Sequence, residues 1–232
     1  MTTNINYMKG DVPVITIDGP SGSGKGTISR KVASILSWNL LDSGALYRVI
    51  AYSSKAMGLS VYNETIIKES IPSLNIKFAT TNGGKQKVYL NHHDVSNQIR
   101  TESCGKDASC IAKYVSIREE LKKFQRSYLK MPGLVADGRD MGTNIFPFSK
   151  LKIYLTASNN ERALRRYKQL KEKGINVSLP AVLKDINNRD KQDKERENAP
   201  LFAADDAHFI DSTKMTIKEV TAKIMRLHEE IQ

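Results

Sequence analysis

The chain has 232 residues, 40% of them hydrophobic and 26% charged, which suits a globular protein with one substantial core and one or two small inserted lobes. Lys and Arg number 36 against 25 Asp and Glu, and the net charge of +11 fits either a nucleic-acid track or a cleft that holds several phosphates. Two cysteines and four scattered histidines exclude a disulfide scaffold and a four-ligand zinc site, and runs such as Val14-Ile15-Thr16-Ile17 are far too short to span a bilayer.

Residues 1–10 are polar and lack the apolar core of a signal peptide, so a cytoplasmic location is expected. Val14-Ile15-Thr16-Ile17 reads as a β-branched strand running into the glycine-rich stretch 18–26. Ile28, Val32, Ile35 and Leu36 then recur at helical spacing over 27–36, giving strand, loop and helix, the opening of a parallel α/β sheet. Leu40-Leu41 predicts a second short strand ending at Asp42-Ser43-Gly44, and residues 45–57 a helix stopped by Gly58. Ile76, Phe78, Val88 and Leu90 alternate with polar residues on either side of Asn82-Gly83-Gly84, the pattern of a β-hairpin. An antiparallel hairpin inside a β-α pattern marks an inserted lobe near residues 60–100, with His92 and His93 in a polar turn. Residues 106–131 predict one long helix ended by Pro132-Gly133. Leu134-Val135-Ala136 and the apolar run 151–155 predict two more strands, with the polar loop 137–143 between them. Three helices follow, over 159–173, 181–197 and 216–231.

Gly19-Pro20-Ser21-Gly22-Ser23-Gly24-Lys25-Gly26-Thr27 is the most informative stretch. A triphosphate needs many donors close together, and glycines let backbone N–H groups reach it without a Cβ in the way. Lys25 supplies a charge for the β- and γ-phosphates, and the helix that follows points its positive end at them. Thr27, in the first turn, offers a hydroxyl to the Mg²⁺ carried by the nucleotide. Gly26 stands where the common phosphate-loop pattern has Ser or Thr; Gly-Lys-Gly-Thr is the form found in nucleoside monophosphate kinases.

Three constellations bear on an acceptor. Ser43 and Arg48, with Tyr47 beside it, sit at a helix start and could clamp an anion, or could be a plain cap and a solvated helix residue. Arg139-Asp140 stands in the loop after a strand, where it could read a cytosine edge or form a loop ion pair. Arg189, Asp193 and Arg196, at i, i+4 and i+7, share one helix face, as do many solvated charge clusters; Arg162, Arg165 and Arg166 add a second basic group. Phosphoryl transfer needs such cations on a lid that closes over both substrates.

Taken together, the phosphate loop, Leu41-Asp42-Ser43-Gly44 with Tyr47-Arg48, Ala136-Asp137-Gly138-Arg139-Asp140-Met141-Gly142-Thr143, the Arg189, Asp193 and Arg196 series leading to Ala199-Pro200-Leu201, and Asp211-Ser212-Thr213 resemble the bacterial cytidylate kinase family over residues 13–230. The resemblance implies an α/β fold of the P-loop NTPase type, a parallel sheet flanked by helices, with an inserted CMP-binding lobe containing the antiparallel hairpin and a short helical lid. It divides the chain into core (1–42), lobe (43–105), core (106–158), lid (159–180) and core (181–232). The implied reaction moves the γ-phosphoryl group of ATP to CMP or dCMP with Mg²⁺, in a monomer that binds neither nucleic acid nor membrane. Gly19, Pro20, Ser21, Gly22, Ser23, Gly24, Lys25, Gly26 and Thr27 would hold ATP. By the same likeness Ser109, Arg118 and Asp140 would meet cytosine, Arg48 and Arg139 the CMP phosphate, and Arg189 and Asp193 the ribose, with Ser43 and Tyr47 alongside. Lys25, Arg139, Arg165 and Arg196 would serve transfer, with Arg162 and Arg166 near the transferring phosphate. Two other readings stay open: a kinase for UMP or AMP, and a basic P-loop ATPase that binds nucleic acid.

Overall fold

The computed structural model describes residues 12–80 and 86–231, so the Asn82-Gly83-Gly84 turn lies outside the described residues. The chain folds as two compact units, Met1–Leu41 with Ser127–Gln232, and Asp42–Arg126.

The first unit is built on a five-stranded sheet in the order β2-β6-β1-β7-β8. Its strands are β1 (Val14–Asp18), β2 (Asn39–Asp42), β6 (Leu134–Gly138), β7 (Leu151–Thr156) and β8 (His208–Asp211). β1 pairs in parallel with β6 and β7, and β7 with β8. Every residue of β1 and β6 is buried, as expected of central parallel strands covered on both faces. Their side chains alternate between two cores. Ile15, Ile17 and Val135 pack with Ile28 and Val32 of α1 (Lys25–Leu36) and Val220 and Ile224 of α8 (Ile217–Glu229). Val14, Leu134 and Ala136 face the other way, onto Met141, Ile145 and Phe146. α6 (Asn159–Glu172) and α7 (Leu179–Lys194) pack on each other through Ala163, Leu170, Val182 and Ile186. The parallel register aligns Asp18 with Gly138 on one side and Tyr154 on the other, at the carboxyl edge where such sheets build sites.

The second unit holds α2 (Ser43–Ala56), α3 (Glu64–Ser70), α4 (Glu102–Ile111), α5 (Val115–Arg126) and an antiparallel sheet of β3 (Ile76–Thr80), β4 (Gln86–Leu90) and β5 (His93–Asp94). The predicted hairpin strands pair Phe78 with Val88 and Ile76 with Leu90. Asn91 and His92, both at positive φ, form the tight turn into β5, so His93 belongs to a strand rather than to the turn. The expected single helix over 106–131 is two helices. In one unbroken helix Ile117 would point about 120° away from Ile111. The break at Ala112-Lys113-Tyr114 lets both bury completely in one core with Leu46, Ile50 and Leu121. α3, β5 and β8 were not expected; β8 buries only Ile210, too little for a readable alternation.

Candidate active site

The loop from Gly19 to Gly24 links β1 to α1. Gly19 has φ 147°, and a Cβ there would come within 2.0 Å of the Leu155 carbonyl oxygen, so no other residue fits. α1 opens on Gly24 in the left-handed region, without a side-chain cap and without an acid in its first turn. A helix start left in this condition is ready for an anion.

Cations hold the loop from its carbonyl side. Lys25 Nζ donates to the Pro20 carbonyl at 2.8 Å. Arg162, 2% exposed, donates Nη1 to the Ser21 carbonyl at 2.8 Å. Its other donors go to the Ala157 carbonyl, Asn159 and the Asp190 carboxylate. Arg165 donates Nη1 to the Ser23 carbonyl and to Ser212 Oγ, Nη2 to the Ser212 carbonyl and Nε to Glu161. Arg166 bonds Gln169 on the exposed side of α6. With these carbonyls engaged, the loop keeps the curvature in which successive N–H groups can converge on phosphate.

Further acids and bases of this unit form one cluster. Arg139 Nε donates to Asp193 Oδ2 at 2.7 Å, and Arg196 Nη2 lies 3.5 Å from Asp193 Oδ1. Burial would raise the Asp193 carboxyl, but Arg139 and Arg196 outweigh it and hold it below the usual range. Burial pushes Lys25 down to about 7; Arg139 adds to this, while Asp137, Asp193 and Asp18 pull back. Arg189, on α7 with Asp193, is lowered by burial, with Asp185 and Asp193 opposing and Arg139 adding to the fall. Arg196 lies beyond the end of α7, which stops at Lys194, so it returns to Asp193 from the following turn instead of sharing a helix face. Asp140, 4% exposed, accepts from Asn144 Nδ2 at 3.0 Å.

In the second unit, Ser43 is buried and its Oγ accepts from Gln125 Nε2 at 2.8 Å; Asp42 rather than Ser43 caps α2. The Arg118 guanidinium stands 5.8 Å above the Tyr47 ring and donates to the Ala112 carbonyl. Arg48 Nη1 donates to the Ile99 and Thr101 carbonyls at 2.9 and 3.0 Å. Its guanidinium lies so close to Gly105 that a Cβ there would come within 2.6 Å of Nη2, and Ser109 Oγ bonds the Gly105 carbonyl one turn on. Ser43, Tyr47, Arg48, Ser109 and Arg118 thus sit on neighbouring turns of α2, α4 and α5.

Sequence reasoning missed Asp18 and Asp137, which both influence Lys25. The signal was available: each lies at the carboxyl end of an apolar strand. As for a metal, among the described residues no group of three or more His, Cys, Asp or Glu could hold one. The exposed Thr27 hydroxyl, which accepts from Arg30 at 3.4 Å, suits a hard cation held mainly by phosphate oxygens. No helix of the described residues is long and apolar enough to cross a membrane.

A family model described as Cytidylate kinase matches residues 15–230. The cytidylate kinase of Pseudomonas entomophila (strain L48) is 49% identical over 218 residues, covering 94% of this chain and 96% of its own. That of Pseudomonas fluorescens (strain Pf0-1) is 50% identical over 219 residues, with the same coverage. Among solved structures, a shikimate kinase from Acinetobacter baumannii in complex with shikimate aligns over 94% of both chains at 16% identity, with a TM-score of 0.44.

Proposed function

The chain belongs to the cytidylate kinase family, and from that premise we infer that it transfers the γ-phosphoryl group of ATP to CMP or dCMP, giving ADP and CDP or dCDP. The observation that carries the reading within this chain is the cluster of Lys25, Arg139, Asp193 and Arg196 beside an uncapped, glycine-led helix start.

An oxygen of the CMP phosphate attacks the γ-phosphorus, and the bond from that phosphorus to the β–γ bridging oxygen breaks, its electron pair leaving on ADP. Little covalent chemistry falls to the protein, so catalysis rests on positioning and on cations that meet the charge as it develops. Lys25, Arg139, Arg165 and Arg196 take that role. The loop from Gly19 through Pro20, Ser21, Gly22, Ser23, Gly24, Lys25 and Gly26 to Thr27 holds ATP. We assign Ser43, Tyr47, Arg48, Ser109, Arg118, Arg139, Asp140, Arg189 and Asp193 to CMP. With Mg²⁺ carried by ATP as part of the substrate, the Thr27 hydroxyl would hold the ion, which would draw charge from the phosphates. We propose that the CMP-binding lobe extends over the second unit, Asp42–Arg126, rather than stopping at residue 105, that residues 159–180 form the lid, and that the protein works as a cytoplasmic monomer.

The test is one coupled assay of ADP release with CMP, dCMP, UMP and AMP, with and without RNA. CMP and dCMP should be the preferred acceptors. Preference for UMP or AMP would refute the substrate, and ATP turnover stimulated by RNA without an acceptor would refute the class.

A further inference from the structure

Asp18 is the last residue of β1, next to the phosphate loop. It is 6% exposed, and its two carboxylate oxygens are divided between consecutive amides: Oδ1 accepts from Met141 N at 2.9 Å and Oδ2 from Gly142 N at 2.8 Å. These amides open the short π-helical turn Met141–Ile145, whose N-cap residue is Asp140. An Asp at such a position ordinarily turns its own carboxylate onto the first free N–H groups. Asp140 makes no such cap bond. The donors it would serve are already taken from β1 by Asp18, and its carboxylate instead accepts from the Asn144 side chain.

We propose that Asp18 is a specificity-positioning residue: it caps the Met141–Ile145 turn in place of Asp140, and so leaves the Asp140 carboxylate to select cytosine over uracil. This rests on the reading of Asp140 as the base-contacting acid. The consequence is a division of labour between two buried carboxylates, Asp18 holding the turn and Asp140 assigned to the base.

Only an ionised Asp18 accepts strongly from both amides, since protonation leaves one oxygen a weak acceptor. Burial pushes Asp18 up to about 6, the Gly142 and Met141 amides pull it down, Asp140 pushes it up and Lys25 pulls it down. Arg139 after β6 and Tyr154 on β7 also sense its charge. Because the folded value lies above the ordinary 3.8, this group's contribution to stability grows as pH falls through 6. Loss of selectivity on acidification is therefore not unfolding caused by Asp18.

The experiment is the ratio of kcat/KM for CMP to that for UMP, measured from pH 5.5 to 8 in the intact protein. Both substrates carry the same titrating phosphate, so its ionisation cancels in the ratio. The wild type should lose selectivity by about 10-fold below pH 6, the scale set by one misplaced polar contact. Asp18→Asn, which can accept only one of the two bonds, should show the reduced ratio at every pH. A wild-type ratio at pH 8 in the variant, or a fall with pH that persists unchanged in it, would overturn the proposal. Should the variant not fold, the amide shifts of Met141 and Gly142 in the wild type decide: they should titrate near pH 6 together with the ratio, and flat shifts overturn the proposal. If the wild type does not prefer CMP at pH 8, the base assignment fails with it, an outcome distinct from the others.

Discussion

Replacing Gly105 by Ala should separate folding from acceptor binding in a single methyl group. Gly105 is buried in the interior of α4, where Ala is the better residue by about 1 kcal/mol. Against this stands the Arg48 guanidinium: the new Cβ would lie 2.6 Å from Nη2 and 3.0 Å from both Cζ and Nη1. Backbone does not have to move, because the obstructed group is the far end of a flexible side chain. Arg48 should swing aside, giving up its bonds to the Ile99 and Thr101 carbonyls. Each bond contributes about 1.5 kcal/mol at most here, since the partly exposed guanidinium and the carbonyls can turn to water. Two such bonds lost against the helical gain should destabilise the protein by at most about 2 kcal/mol. Function should not be spared. A displacement of about 1 Å in a phosphate-clamping arginine can cost about 100-fold, so kcat/KM for CMP should fall by about 10- to 100-fold while KM for ATP stays within about twofold. Urea denaturation and initial-rate kinetics on one preparation measure both. Unchanged CMP kinetics in a folded Gly105→Ala protein would refute the role given to Arg48; equal losses for CMP and ATP would point to a general defect.

Lys25→Ala should leave the fold standing and cut turnover at saturating MgATP by at least about 100-fold, checked by stopped-time assay beside a melting curve. The same residue predicts proton uptake. Its ammonium is pushed down to about 7 by burial, and a bound polyanion must raise it again, so MgATP binding at pH 8 should draw protons from the buffer. Calorimetry in buffers of different ionisation heat reads this directly, and the uptake should vanish in Lys25→Ala. Asp140→Ala should lose most activity on CMP while the CMP-to-UMP ratio of kcat/KM falls toward one; an unchanged ratio would give base selection to another group. Asp193→Ala leaves Arg139 and Arg196 without their shared carboxylate, so it should lower stability by about 2 kcal/mol and raise KM for CMP far more than for ATP. Equal rises in the two KM values would mark the residue as structural.

Where local pattern and tertiary environment agreed, the sequence was readable. β1, β6 and β7 are short apolar runs buried on both faces, and α1 carries one apolar stripe, so period and length were sufficient. The helix over 106–131 failed because nothing local forbids continuing through Ala112-Lys113-Tyr114; only the shared core of Ile111 and Ile117 demands the break. β8 exists because β7 offers it an edge, a reason that lies outside residues 208–211. In the candidate site, Lys25, Arg139, Asp193 and Arg196 were all singled out from sequence, and the first unit gathers them. Their connection was not legible: Arg139 meets Asp193 across 54 positions, and Asp18 reaches Gly142 across 124. Arg162 illustrates the same limit. Its place in a basic helix suggested a ligand contact, whereas its donors are spent on Asp190, Asn159 and two main-chain carbonyls.

Those two arginines on α6 tie the helix to the nucleotide loop in a way that works in both directions. Arg162 grips the Ser21 carbonyl and Arg165 the Ser23 carbonyl, so α6 cannot leave its position without loosening the loop between them. Linkage then requires that whatever factor α6 docking contributes to ATP affinity, ATP contributes equally to α6 docking. Nucleotide would act as a fastener for the helix, and loosening Leu170 against Val182 and Ile186 would register as weakened ATP binding.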